Sequence, residues 1–209
     1  SIPAYVMART DTDVDRALSR LRFPMIVKHP QGYSSIAMTK NSRVTDAEGL
    51  RREAARIIDL FGGALIEEFI EGREFTVLVT EPRAGEDFPW ALQPVEFLFP
   101  AGEQFKHFDL KWVDYESMQT RVVEDEELAS RLRVASSLTF EAISANGYGR
   151  CDFRMDATGE IFLLEINPNC GVFYPEGSFG SADVILANDP AGHRGFLEHI
   201  LFCAKRRQE

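Results

Sequence analysis

The sequence predicts an α+β fold, and three observations carry that prediction. Strand-like and helix-like segments mix without the βαβ rhythm of a doubly wound sheet. The stretch GRCDFRMDATGEIFLLEINPN, residues 149–169, reads as two alternating strands closed by a tight turn at Ala157-Thr158-Gly159. Helical segments show apolar residues at i, i+3, i+4 and i+7 spacing. At 209 residues the chain is long enough to bury a core in one or two domains.

Taken in order, Val14, Ala17, Leu18 and Leu21 give a helical stripe over Asp13–Leu21, which Phe23-Pro24 breaks. Met25-Ile26-Val27-Lys28 is an apolar strand ending in one cation; HPQGYSS is a turn-rich loop, and Ile36–Lys40 reads as the returning strand. Thr45–Phe61 reads as a helix capped by Thr45 with Glu48 in capping-box spacing and terminated at Gly62-Gly63. Ala64–Phe69, Glu74–Val79 and Pro94–Phe99 read as strands, and Glu81–Asp87 as a polar loop. Phe105–Ser117 carries no assignable period. Glu126–Ala145 has a stripe of Leu128, Leu132, Ala135, Leu138, Ala142 and Ile143, and after Gly171 a glycine-rich loop leads to a last helix over Arg194–Lys205.

Composition excludes some functions. With 23 basic against 33 acidic residues, net −10, the chain lacks the basic stripe that non-specific nucleic-acid binding needs. Three cysteines without CxxC spacing argue against a disulfide framework or zinc site and for a reduced cytosol. No apolar run approaches 18 residues, so no membrane partner is expected, and the opening SIPAYVMARTDTD has no signal-peptide pattern. His29, His107, His193 and His199 show no metal spacing and read as surface or satisfied histidines.

The hairpin is where chemistry concentrates. Paired about its turn, Asp152 faces Glu165 and Arg150 faces Asn167, while Cys151, Phe153, Met155, Phe162, Leu164 and Ile166 project to the other side. Facing carboxylates have Cβ atoms only ~5 Å apart, and at ~4 Å they repel by ~4 kcal/mol near a protein surface. A cation belongs between them. Magnesium suits, because it takes oxygen ligands from one or two carboxylates plus waters and phosphates, and Asn167 offers a neutral oxygen one alternation on. Elsewhere, Lys28 closes an apolar strand and suits phosphate oxygens as a point charge. The Gly32-Tyr33-Ser34-Ser35 loop offers backbone N–H groups and hydroxyls to an anion. It matches neither GxxxxGKS nor GxGxxG, which disfavours P-loop and Rossmann readings. IEEFIEGREF by itself reads first as an ordinary hairpin with solvated acids; alternatively, main chain from Glu68 to Ile70 exposed at an edge would pair with an adenine edge, and Glu74 would accept from ribose hydroxyls.

The order of these elements resembles the ATP-grasp superfamily, most closely its D-alanine–D-alanine ligase-like branch: VK and a glycine/serine loop, then EEFIEGREF, then GRCDFRMD and LLEINPNCG, over nearly the whole chain. The resemblance implies an ATP-grasp fold of two α+β subdomains with nucleotide between them: residues 1–70 a small subdomain with phosphate loop and hinge strand, 71–209 a large one with metal site and substrate loop. It implies that Lys28 contacts phosphates under a loop holding Ser34 and Ser35, that Glu67, Glu68, Phe69 and Ile70 border adenine, and that Glu74 holds ribose. Asp152, Glu165 and Asn167 match metal ligands for magnesium, or manganese in its place; Arg150 matches the arginine near the reacting carbonyl, and Lys111 a lysine approaching the γ-phosphate. The implied activity is ATP-dependent joining of a small carboxylate to an amine through an acyl phosphate. The alternative is an ATP-binding module, or a partial ATP-grasp domain, without independent ligase activity.

Three departures qualify the resemblance. SIPAYVM resembles the linker that follows the family's N-terminal domain, so that pre-ATP-grasp domain is expected to be absent or supplied by a separate partner. Tyr33 stands where glycine usually precedes the paired serines, and Ala37 replaces another glycine. Gly171 and Glu176 would lie in the substrate loop, and the charge of Glu176 argues against D-alanine as acceptor.

Overall fold

The computed structural model describes residues 1–32, 35–108, 110 and 118–208. They form two compact units, Ser1–Glu71 with Phe99–Gln119, and Gly72–Leu98 with Thr120–Glu209. The chain changes unit between Glu71 and Gly72, and residues 99–119, expected in the second part, group with the first.

The first unit is a four-stranded antiparallel sheet of β1 (Tyr5–Ala8), β2 (Met25–Lys28), β3 (Arg43–Val44) and β4 (Ala64–Glu68) in the order β1-β4-β2-β3. Two helices, α1 (Asp11–Arg20) and α2 (Ala47–Phe61), supply its core through Val14, Ala17, Leu50, Ala54 and Ile57, packed with Met25, Val27 and Ile66. Alternation along β2 and β4 leaves Ile26, Lys28 and Glu67 for the sheet's other face. Local chemistry differs from the sequence reading in three places. The returning strand is Arg43–Val44, because Ser35 and Ala37 are left-handed (φ 57° and 58°) and turn the chain where Ile36–Lys40 was expected to run extended. Asp46, not Thr45, caps α2, accepting from the Gly49 N–H at 2.8 Å. Helix α1 begins at Asp11, where Thr10 and Asp13 form a capping box.

The second unit is a six-stranded sheet: β5 (Arg73–Thr80), β6 (Trp90–Ala91), β7 (Val95–Leu98), β8 (Gln119–Val122), β9 (Tyr148–Met155) and β10 (Ile161–Pro168), ordered β10-β9-β5-β7-β8 with β6 on β5. Helix α3 (Glu126–Ala142) covers one face through Leu128, Leu132 and Phe140, against Phe75, Val77, Cys151 and Phe153. Helices α4 (Ser181–Ala187), which sequence periodicity missed, and α5 (Gly192–Arg206) cover part of the other face through Ile185, Leu186 and Phe196, packed with Leu78 and Val95. Beyond Leu78 that second face turns polar, because Thr76 and Glu74 follow at alternate positions of β5.

The β9–β10 hairpin pairs Asp152 with Glu165 and Arg150 with Asn167, as its sequence predicts. Nearer the turn the pairing is not the expected one. Leu163 pairs with Phe153 and Ile161 with Met155, and a bulge at Leu164 separates the two registers. Consequently Ile161 and Leu163, rather than Phe162 and Leu164, share the apolar face with Met155 and Ile166. No helix among the described residues is long and apolar enough to cross a membrane.

Candidate functional site

On the polar part of the second unit's sheet, strand alternation collects side chains from three adjacent strands: Glu74 and Thr76 from β5, Arg150, Asp152 and Arg154 from β9, Glu165 and Asn167 from β10. Asp152 is buried, and the side chain of Glu165 is 50% exposed. The Arg150 guanidinium grips Asp152 with both arms, Nε at 2.9 Å from Oδ1 and Nη2 at 2.7 Å from Oδ2, and Nη2 lies 4.0 Å from Glu165 Oε1. Thr76 Oγ1 donates to Asp152 Oδ1 at 2.7 Å. The facing acids therefore have a cation of the chain's own beside them, which sequence reasoning had reserved for a metal. Burial pulls the Arg150 guanidinium down, but the negative charge and hydrogen bonds of Asp152, with Glu165 further off, raise it above its ordinary value. It is a permanent cation.

Whether a divalent ion fits the same side chains turns on Asn167. Its amide nitrogen donates to Glu165 Oε1 at 2.8 Å and reaches Asp152 Oδ2 at 3.4 Å, so one small group already touches both acids. The three side chains offer oxygen, the donor magnesium and manganese prefer, and a turn of the Asn167 amide exchanges its nitrogen for oxygen. The set fits such an ion, with Arg150 competing for the same carboxylate. Among the described residues no group of three or more His, Cys, Asp or Glu side chains is arranged to hold a metal. The histidines are engaged otherwise: His107 with Glu103, His193 with Asp183, and His199 with Thr80.

Sequence reasoning missed two members of this cluster. Arg154 is buried, with Nη1 3.4 Å from Glu74 Oε2 and Nη2 donating to the Gly72 carbonyl at 2.9 Å. Thr76 is the other. The alternation that placed Arg150 and Asp152 on one face also places Arg154, and Glu74 implies Thr76, so the signal was present.

In the first unit, the Lys28 ammonium meets the buried Glu67 carboxylate at 2.5 Å on the face opposite the helices. Phe69 packs there with Ile26 and Phe105, and the Arg43 guanidinium sits 5.0 Å above its ring. Two of the backbone donors expected to be free in Glu68–Ile70, the N–H groups of Glu68 and Phe69, are already bonded within the first unit. Strand β4 lies inside the sheet; the Glu68 N–H donates to the Ala4 carbonyl at 2.9 Å and the Phe69 N–H to the Pro24 carbonyl at 2.8 Å. The Glu68 carboxylate is taken by Arg22, and its acidity is strengthened mainly by that side-chain hydrogen bond. Ser35 Oγ donates to the Lys106 carbonyl at 2.9 Å. Ser34 and Lys111 lie outside the described residues. In the Cys170–Gly180 loop, Gly171 lies under the Tyr174 ring: a Cβ there would stand 2.6 Å from Tyr174 Oη and push that ring aside. Glu176 is exposed on the turn that the Ser178 N–H closes on the Pro175 carbonyl at 2.9 Å.

The family described as D-ala D-ala ligase C-terminus matches residues 4–174. The chain belongs to this family. The D-alanine–D-alanine ligase of Alkalilimnicola ehrlichii is 34% identical over 172 residues, 79% of this chain and 50% of that protein. That of an Arthrobacter species is 30% identical over 200 residues, 93% of this chain and 50% of that protein. The chain spans about half the length of the curated relatives it matches. Among solved structures, the VanG D-Ala:D-Ser ligase of Enterococcus faecalis superposes with a TM-score of 0.75 at 17% identity, covering 97% of this chain and 57% of that one. The Bacillus anthracis D-alanine–D-alanine ligase complexed with ATP gives 0.73 at 21%, covering 99% and 62%. The D-Ala-D-Ala ligase family's ATP-grasp fold is thus the fold of this chain, as the order of its motifs implied.

Proposed function

We propose that the chain is the catalytic core of an ATP-dependent carboxylate–amine ligase working in the cytosol. The observation that carries the reading is the charged constellation on the β9–β10 hairpin, buried Asp152 opposite the half-exposed Glu165 with Arg150 and Asn167 beside them. In the reaction, a substrate carboxylate attacks the γ-phosphorus of ATP, giving ADP and an acyl phosphate; an amine then attacks the acyl carbon and inorganic phosphate leaves. Little covalent help from the protein is needed, and charge stabilisation is most of the work. A magnesium ion at Asp152, Glu165 and Asn167 would supply positive charge to phosphate oxygens. Arg150 stabilises the oxyanion that forms when the amine attacks. Lys28 holds phosphate beneath the loop of Ser34 and Ser35, and Lys111 approaches the γ-phosphate. Glu67, Glu68, Phe69 and Ile70 border the adenine, and Glu74, oriented by Arg154, holds ribose. Gly171 and Glu176 belong to the acceptor loop.

The competing reading, a nucleotide-binding module without activity of its own, is favoured by one fact: the relatives that carry the printed activity are about twice as long. Calorimetry with ATP and magnesium tests what both share. Glu165→Gln should weaken ATP binding about tenfold in the presence of magnesium, about 1.4 kcal/mol. Affinity indifferent to metal and substitution removes both readings. Release of ADP stimulated by one carboxylate and amine pair then selects the ligase.

A further inference from the structure

Three large aromatic side chains stand exposed on the Cys170–Gly180 loop that follows β10: Phe173 is 50%, Tyr174 45% and Phe179 38% exposed. Single exposed aromatics are ordinary, whereas a cluster on one short loop marks a binding surface. This loop is held rather than slack. Asp183, fully buried at the start of α4, accepts from the Phe173 N–H at 2.7 Å, the Gly180 N–H at 3.1 Å and His193 Nε2 at 2.8 Å, tying both ends of the loop to one carboxylate. The Tyr174 ring lies against two glycines, leaving 2.6 Å for a Cβ at Gly171 and 3.2 Å at Gly180. Phe173 adopts φ 67°, a left-handed conformation that costs a bulky residue energy and tends to persist at functional sites. Its ring continues inward: 5.9 Å to His193 and 6.3 Å to the buried Phe196, while Phe179 lies 5.6 Å from His193. The result is a braced aromatic platform, three residues beyond Asn167 at its first residue, Cys170.

We propose that this platform selects the acceptor amine, and that the acceptor carries an aromatic or large apolar group in place of the methyl of alanine. The inference rests on the ligase reading and deepens it. Continuity with the polar cluster makes the acceptor the occupant: the loop follows β10 just beyond Asn167 and Pro168, and its anchors hold the backbone that carries the rings before any ligand arrives. A preformed apolar wall gains by covering a ring, on the order of 0.5–1.5 kcal/mol per aromatic pair beyond the area buried. A methyl group cannot collect that.

The test is calorimetry on the full chain with magnesium and a non-hydrolysable ATP analogue, titrating each enantiomer of alanine and phenylalanine. Phenylalanine in one configuration should bind at least tenfold more tightly than either alanine, and the Phe173→Ala/Phe179→Ala double variant should lose that preference while its affinity for the ATP analogue stays. Where ADP release is measurable, the variant's loss should fall on KM for phenylalanine rather than on kcat. Wild-type protein that binds the analogue but treats alanine and phenylalanine alike, or a double variant that keeps the preference, overturns the proposal and leaves the rings to pack on other protein. Wild-type protein that binds no nucleotide overturns the ligase reading with it.

Discussion

Ala37 is the residue at which this chain departs most visibly from the glycine its family resemblance leads one to expect. It is left-handed, φ 58°, and the Arg56 guanidinium clamps its carbonyl at 2.7 Å. An L-residue in that conformation is strained by ~1–2 kcal/mol, while glycine gives back ~0.5–1 kcal/mol through the freedom it has unfolded. Ala37→Gly should therefore raise stability in urea by up to about 1 kcal/mol; a loss of stability would show that the clamp, not the strain, governs this turn. The same scale accounts for the partnership of Arg150 and Asp152. Two residues apart on one strand, they share a face, and burial makes each necessary to the other, since removing one partner of such a pair commonly costs ~3–5 kcal/mol.

Helix α2 shows an element tying local charge to loop geometry. Its Glu53 is buried, accepts from Ser42 Oγ at 2.8 Å, and is bonded at both oxygens by the Arg56 that clamps Ala37. Burial pushes the Glu53 carboxyl up, but the Arg56 and Ser42 hydrogen bonds outweigh it and hold it below the usual carboxylate range. A folded value below the unfolded one means the contribution is complete above the unfolded pKa, about 4.3, and is lost as pH falls through the folded value. Urea midpoints measured from pH 7 to pH 3 should fall less steeply for Glu53→Gln than for wild type; parallel curves would exclude Glu53 as a source of acid sensitivity. None of this was legible in the sequence, because Glu53 looks like any helical acid until the turn at Ser42 is in place. The hairpin was legible for the opposite reason: a period of two and a strong turn fix which residues oppose. Where it misled, at Phe162 and Leu164, one bulged residue had shifted the count, and nothing in the local composition marks Leu164 for that role. That β4 lies inside its sheet, with the Glu68 and Phe69 N–H groups taken, was likewise invisible, since strand order is decided by pairing partners far along the chain.

For the whole molecule, the chain's net charge of −10 and its three free, buried cysteines frame what it meets. Burial pushes the Cys151 thiol up to about 12 and the Cys170 thiol up to about 11, and raises Cys203 as well. Thiolate is the reactive form, so a colorimetric thiol reagent at pH 8 should register close to none of the three in the folded chain and all of them in urea; rapid reaction of the native protein would mean that a core is open. The two units are also unequal in how the chain builds them. The first is written in two instalments, residues 1–71 and 99–119, with a piece of the second between them. Phe69 must wait for Phe105. During synthesis residues 1–71, made before the rest of their unit, lack its closing segment until residue 119 has left the ribosome, so a nascent chain cut short after residue 71 carries an unfinished hydrophobic surface.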